Sequence, residues 1–253
     1  MITLVIKELR WNWRSFRYPA FLIVVLFFAL LDPLMMRYMN EIIAYFAEGL
    51  EMVMPDPTPG EVYVSYLSDV SQIGIFVLIF AVMGVVAREK ETGITGWLLS
   101  KPVGRWEYLF SKIIVLYATI IIGIMGCSLI AYLYTASLFD NIPLGEAANA
   151  TISLIFFTLF IATITLSLST LLKSPLQAGG LTILIFFLTG ILNFIIANSK
   201  FANYYPNTLL SQLRPLVDGT IGLTDVSGPI LATIILSALM IIFTGIRFSR
   251  MEL

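Results

Sequence analysis

The chain has 253 residues, 58% of them hydrophobic and 12% charged, with a net charge of −1 and a mean hydropathy of +0.92. A soluble domain is about 45–50% apolar and about 25% charged, so this balance excludes a water-soluble globule, and the near-neutral charge argues against a nucleic-acid partner, which needs a basic stripe. His is absent and Cys127 is the single cysteine, which removes the commonest general base, the commonest transition-metal ligand, thiolate metal sites and any intramolecular disulfide.

Residues 1–17 read as an amphipathic helix. Ile2, Val5, Ile6, Leu9, Trp13 and Phe16 recur at three- and four-residue steps beside Lys7, Arg10, Arg14 and Arg17. An apolar stripe next to a basic one suits the surface of an anionic leaflet. The helix serves either as a plain membrane anchor or as an elbow bracing the first span against a partner subunit. The first apolar run, 18–36, ends at Leu31-Asp32-Pro33 and not at a small-x-small cleavage site, so it is expected to be a retained span. The segment 37–68 is expected outside. It opens with Met39, Ile42, Ile43, Phe46, Leu50 and Val53 on one face and Glu41, Glu48 and Glu51 on another, and Pro55, Pro57 and Pro59 then end the helix. It is expected to lie on the outer surface, or to gate an exit path.

Further spans are expected at 69–87, 113–138, 150–172, 178–198 and 229–246, each with few charges and long enough to cross a hydrocarbon core. Five residues, 173–177, join the fourth and fifth spans into a tight hairpin broken at Pro175. Segment 199–228 holds Tyr204, Tyr205, Leu209, Leu213 and Leu216 between turn signals, and reads as short helical pieces at the interface. Irregular backbone at that depth needs shielding, which a second subunit would supply.

Both termini are expected in the cytoplasm. With that orientation Lys7, Arg10, Arg14, Arg17, Arg88, Lys90, Lys101, Arg105, Lys112, Lys173, Arg247 and Arg250 lie inside, against only Arg37, Lys200 and Arg214 outside. That is a strong positive-inside bias. The fold class expected is therefore an all-α polytopic membrane protein with six transmembrane helices, in a single permease-like domain spanning 1–253.

The cytoplasmic segment 88–112 reads REKETGITGWLLSKPVGRWEYLFSK. A first helix is expected to run on from the second span with Ile94, Trp97 and Leu98 on one face, stopping near Ser100 because Pro102 excludes helix before it. A second is expected to start at Gly104 with Glu107 as a capping box, carrying Val103, Trp106, Phe110 and Ile113 on its apolar face. A solvated loop has no need of Trp97, Leu98, Leu99 and Trp106, so the segment reads as a docking surface.

At Arg88, Glu89, Glu91, Gly93, Leu98, Leu99, Pro102, Val103 and Arg105 the chain resembles the permease subunits of ABC transporters of the second exporter type. Ile94 and Gly104 depart from that pattern, in which Thr and Ser are usual. The motif covers about twenty-five residues, and the six-span layout extends the resemblance along the chain. It implies a dimer of this chain or a pair with a sister permease, with cytoplasmic ABC ATPase subunits beneath. Glu89, Glu91, Gly93, Trp97, Leu98, Leu99, Pro102 and Arg105 would then couple ATP-driven closure to switching of the pathway. This chain carries no Gly-x-x-x-x-Gly-Lys-Ser/Thr, so ATP and Mg are expected on the partner, with no cofactor, metal or catalytic residue here. The cell membrane, prokaryotic inner membrane included, is the expected location.

Four residues within the spans are candidates for the pathway or for a dimer contact: Asp32, Thr158, Thr165 and Asn193. An intramembrane acid is a functional candidate by default, although Asp32 near the helix end also fits a solvated terminus. The hydroxyls of the fourth span equally suit helix packing and back-bonding. An intramembrane enzyme lacks chemistry here, since no second acid is expected near Asp32. A scaffold or sensor subunit that docks a cytoplasmic partner without transport is the remaining alternative.

Overall fold

A computed structural model describes residues 1–46, 55–100, 104–196 and 199–251, and among these the chain is helical with no strand. The first two helices, α1 (Ile2–Arg14) and α2 (Arg17–Arg37), meet at a corner where Phe16 takes a left-handed conformation, φ 59°. Next comes α3 (Met39–Phe46). The expected continuation of its amphipathic pattern through Glu48, Leu50, Glu51 and Val53 lies outside the described residues.

The segment expected as an external loop up to residue 68 is corrected at its second half. Here α4 (Pro59–Asp69) begins the second span ten residues early, with Val62, Tyr63, Tyr66 and Leu67 buried in the core. Pro59 does not terminate a helix here; it occupies the first turn, where its missing N–H costs nothing. Thr58 and Glu61 close a capping box around it, with Glu61 N donating to Thr58 Oγ1 at 3.3 Å and Thr58 N donating to Glu61 Oε2 at 3.1 Å. The span continues through a π-helical stretch, Val70–Gly74, into α5 (Ile75–Val82), turns irregularly over 83–86 and resumes as α6 (Ala87–Glu91).

Beyond it lie α7 (Ile94–Leu99) and α8 (Arg105–Leu138). With 34 residues, α8 is about 51 Å long at 1.5 Å per residue. A hydrocarbon core is about 30 Å thick, so its first turns stand clear of the bilayer. The remaining long helices are α9 (Leu144–Leu171), α10 (Pro175–Ile196) and α13 (Ser227–Ser249). Among the described residues six helical stretches are long and apolar enough to cross a membrane, namely α2, Pro59–Glu91, α8, α9, α10 and α13.

The bundle is built around α9, the most enclosed span, which packs on α5, α8, α10 and α13. Helix α10 is the least enclosed. Large apolar side chains such as Ile122, Leu133, Phe187, Phe194 and Leu239 face outward, as lipid contact requires. Buried hydroxyls pair across the core, Tyr63 with Thr151 at 2.8 Å, Tyr66 with Ser128 at 3.1 Å and Tyr117 with Thr163 at 2.6 Å.

The segment before the last span forms a 3-10 turn (Lys200–Tyr204), α11 (Thr208–Ser211) and α12 (Leu213–Val217). The chain itself buries part of this segment. Leu209, Leu213, Leu216 and Val217 are buried against α4 and α9, the Ser153 hydroxyl donates to Leu209 O at 3.1 Å, and the Tyr205 hydroxyl donates to Thr189 O at 2.7 Å.

Candidate functional site

The segment singled out by its charges and tryptophans forms a hairpin at the end of the bundle shared by α1, the close of α9 and the close of α13. It is more broken than expected. Helix α6 ends at Glu91, Gly93 turns the chain with φ 74°, and α7 leaves in a new direction. A side chain at Gly93 would meet nothing within 4 Å, so the requirement for glycine is purely conformational. Gly104 is the N-cap of α8 as expected, but no side-chain capping bond forms there.

Beneath the hairpin lies a buried ion network. Lys112 Nζ sits 3.0 Å from Glu8 Oε2 and 3.0 Å from Glu89 Oε2, and donates to Val85 O at 3.1 Å. The Tyr108 hydroxyl donates to Glu89 Oε2, and its ring stacks on Phe248 of α13 at 5.7 Å. Asn12 Nδ2 donates to Glu8 O at 2.9 Å, and Lys7 Nζ adds a contact of 3.0 Å to Glu8 Oε1. Side chains of Lys112 and Glu8 are each 1% exposed. Burial alone would raise the Glu8 pKa, but the charges and hydrogen bonds of Lys112 and Lys7 outweigh it and hold the carboxyl below its ordinary value. Charges buried this deeply persist only when paired and hydrogen-bonded. The network therefore joins α1, α6 and α8 tightly.

Three further clamps secure the hairpin. The irregular turn over 83–86 frees backbone groups, and Ser169 of α9 satisfies them. Its hydroxyl accepts from Val86 N at 3.2 Å and Ala87 N at 3.0 Å while donating to Met83 O at 2.7 Å. Lys90 Nζ donates to Thr170 O at 2.6 Å and Leu172 O at 2.5 Å at the C-terminal end of α9. Arg105 Nη1 donates to Phe248 O, Ser249 O and Met251 O at 2.8, 3.0 and 2.7 Å, closing the end of α13. Basic side chains at helix C-termini satisfy orphan carbonyls and oppose the dipole.

The expected docking residues thus divide. Glu89 is buried and Arg105, half-buried, is bound to the end of α13, so both hold the hairpin from within. Leu98 packs against the core. Trp106 packs on its own subunit but remains 37% exposed. It stacks on Phe110 at 5.7 Å and fills the room beside Gly245, where a Cβ would lie 2.1 Å from its ring. Glu91, Gly93 and Ile94 remain on the outer surface, and Trp97 is 63% exposed. Leu99 lies in α7, and Pro102 falls outside the described residues.

The four intramembrane candidates are also spread out. Thr158 and Thr165 are fully buried in α9 and donate to Leu154 O and Ile161 O at 2.8 Å each, so each hydroxyl back-bonds to its own helix. Asp32 is 6% exposed. The expectation that no second acid lies near it is corrected: Asp69, at the end of α4, faces it. Asn193 is half-buried on α10, with no side-chain hydrogen bond among the described residues. Sequence reasoning missed Glu8, Asn12 and Tyr108, and counted Ser169 only as one of the fourth-span hydroxyls suited to packing. The spacing of Glu8 and Asn12, four apart on an otherwise apolar and basic helix, was the available signal.

Six apolar helices among the described residues, with a clamped surface hairpin, define a multi-pass membrane protein. The family model described as ABC-2 family transporter protein matches residues 50–249, and the chain belongs to that family. It is 32% identical over 180 residues, 69% of this chain and 69% of the other, to the uncharacterized transmembrane protein YxlG of Bacillus subtilis (strain 168). Its role is accordingly that of a membrane permease subunit of an ABC transporter.

Proposed function

We propose that the chain is the pathway-forming subunit of an ATP-driven exporter, paired with a second permease and driven by a separate ATPase docked on α6, α7 and the start of α8. One observation carries this reading: the hairpin is exposed on one side and clamped on the other. Outward it offers Glu91, Ile94 and Trp97, and inward Glu89, Lys90 and Arg105 bind it to α1, α8, α9 and α13. A push on such an element moves those helices together, because packed cores shift as bodies and do not absorb strain locally. A solvated loop would gain nothing from four separate attachments. The basic residues gathered at this end support a cytoplasmic orientation. ATP and Mg would belong to the partner.

Asn193 supports the pairing. A carboxamide on the least enclosed span has no side-chain hydrogen bond among the described residues, and a second copy or a sister permease would provide one across the interface. The test is co-purification from detergent-solubilised membranes. Wild type should retain a stoichiometric ATPase subunit, and Trp97→Ala with Glu91→Lys should lose it while the permease stays membrane-inserted with unchanged melting. Full retention by that double variant overturns the docking assignment.

A further inference from the structure

A cavity of about 270 Å³ opens between the start of α2, the irregular turn after α5, α6 and the N-terminus of α10. Arg17, Arg88, Phe80, Met83 and Pro175 line it. The Arg17 guanidinium reaches Gly84 beside the root of the Arg88 side chain. A point one Cβ out from Gly84 lies 3.8 Å from Arg17 Nη2, 3.7 Å from Arg88 Cβ and 3.8 Å from Pro175 Cβ. Neither guanidinium has an ion pair or a hydrogen bond among the described residues. Of the charged groups acting on Arg17, Arg88 is the strongest, ahead of Glu89. Helix α10 has 22 residues and no acid in its first turn, so its positive end adds to the same field. Glu91 is the single carboxylate lining the cavity among the described residues.

Two half-confronted guanidiniums beside a helix N-terminus need an anion of delocalised charge, and phosphate matches the donor geometry of arginine. The wall identifies its source. Phe80 is 54% exposed on the outer flank of the bundle, so the polar end of the cavity continues into lipid-facing surface. A soluble anion has no use for that wall, whereas an acyl chain does. Basic pockets between membrane helices take anionic headgroups on this principle.

We infer that this cavity binds the phosphate of an anionic phospholipid headgroup, with Arg17 and Arg88 as its ligands and the acyl chains running over Phe80. A zwitterionic headgroup is disfavoured, because its ammonium would lie among two guanidiniums. The site does not depend on the ATPase, and is occupied by the bilayer itself.

The test measures melting of the full chain in neutral detergent against added phosphatidylglycerol, phosphatidylcholine or inorganic phosphate. Phosphatidylglycerol should raise the wild-type melting temperature, and phosphatidylcholine should not. Arg17→Gln and Arg88→Gln should each weaken half-saturation about fivefold, the effect of one basic side chain at an anionic surface. Gly84→Leu should abolish the response by filling the cavity with both charges kept. Glu91→Gln should tighten it, which keeps the test decisive if an arginine variant does not fold. Equal responses to the two lipids, an unchanged response in the double arginine variant, or no tightening in Glu91→Gln would each overturn the assignment. A response to inorganic phosphate as large as that to phosphatidylglycerol would overturn the lipid source and assign a soluble phosphate.

Discussion

Lys112 is the residue on which the greatest number of elements converge, because it is the buried cation shared by Glu8 and Glu89. Removing one partner of such a set leaves uncompensated charge in a dry environment. Lys112→Met should therefore cost about 3–5 kcal/mol, read as a loss of melting temperature, and adding Glu8→Gln should recover part of it, since coupled neighbours are not additive. A cost under 1 kcal/mol would show the network to be solvated. The pH dependence follows from Glu8. Its folded pKa is depressed below the ordinary 4.5, so its contribution is fully present above that value and is lost as pH falls through the lowered one. Wild-type melting should fall below about pH 4.5, and Glu8→Gln should lose that share of the fall. None of this was legible from one stretch of sequence. Lys112 stands 104 residues from Glu8, and periodicity places a residue on a face without saying what lies opposite.

At the scale of elements, the hairpin depends on one backbone angle. A β-branched residue at Gly93, φ 74°, costs about 1–2 kcal/mol in that conformation and would redirect α7. Gly93→Val should release the ATPase although Trp97 and Glu91 are intact, and Gly93→Asn, which tolerates left-handed backbone, should keep it. Retention in both variants would show that the direction of α7 is irrelevant to docking. The existence and type of the long helices were readable from apolar runs. The apolar run alone starts the second span at residue 69, whereas Thr58-Pro59-Gly60-Glu61 carries a helix-start signal ten residues earlier. The break over 83–86 had no local signal at all. It survives because Ser169, more than eighty residues away, supplies its hydrogen bonds, at separations of 83 and 82 residues.

At the scale of the whole molecule, an even number of spans puts both termini and the hairpin at one end, and the positive-inside rule predicts that the basic residues gathered there face the cytoplasm. In a Cys127→Ala background, Asp225→Cys should react with an impermeant maleimide on intact cells, and Lys173→Cys should react only after permeabilisation. The reverse pattern would invert the orientation and remove the hairpin from reach of any cytoplasmic ATPase. Membrane class, span number, charge asymmetry and the position of the hairpin were determined by the sequence alone, because hydropathy, length and charge are properties of contiguous residues. Only the tertiary structure decided that Glu89 and Arg105 brace the hairpin from within, that Thr158 and Thr165 turn to their own helix, that Asp69 meets Asp32, and that Arg17 and Arg88 share a cavity. Each of these is a pairing between distant helices, and a buried polar group finds its partner wherever packing brings one within hydrogen-bond reach.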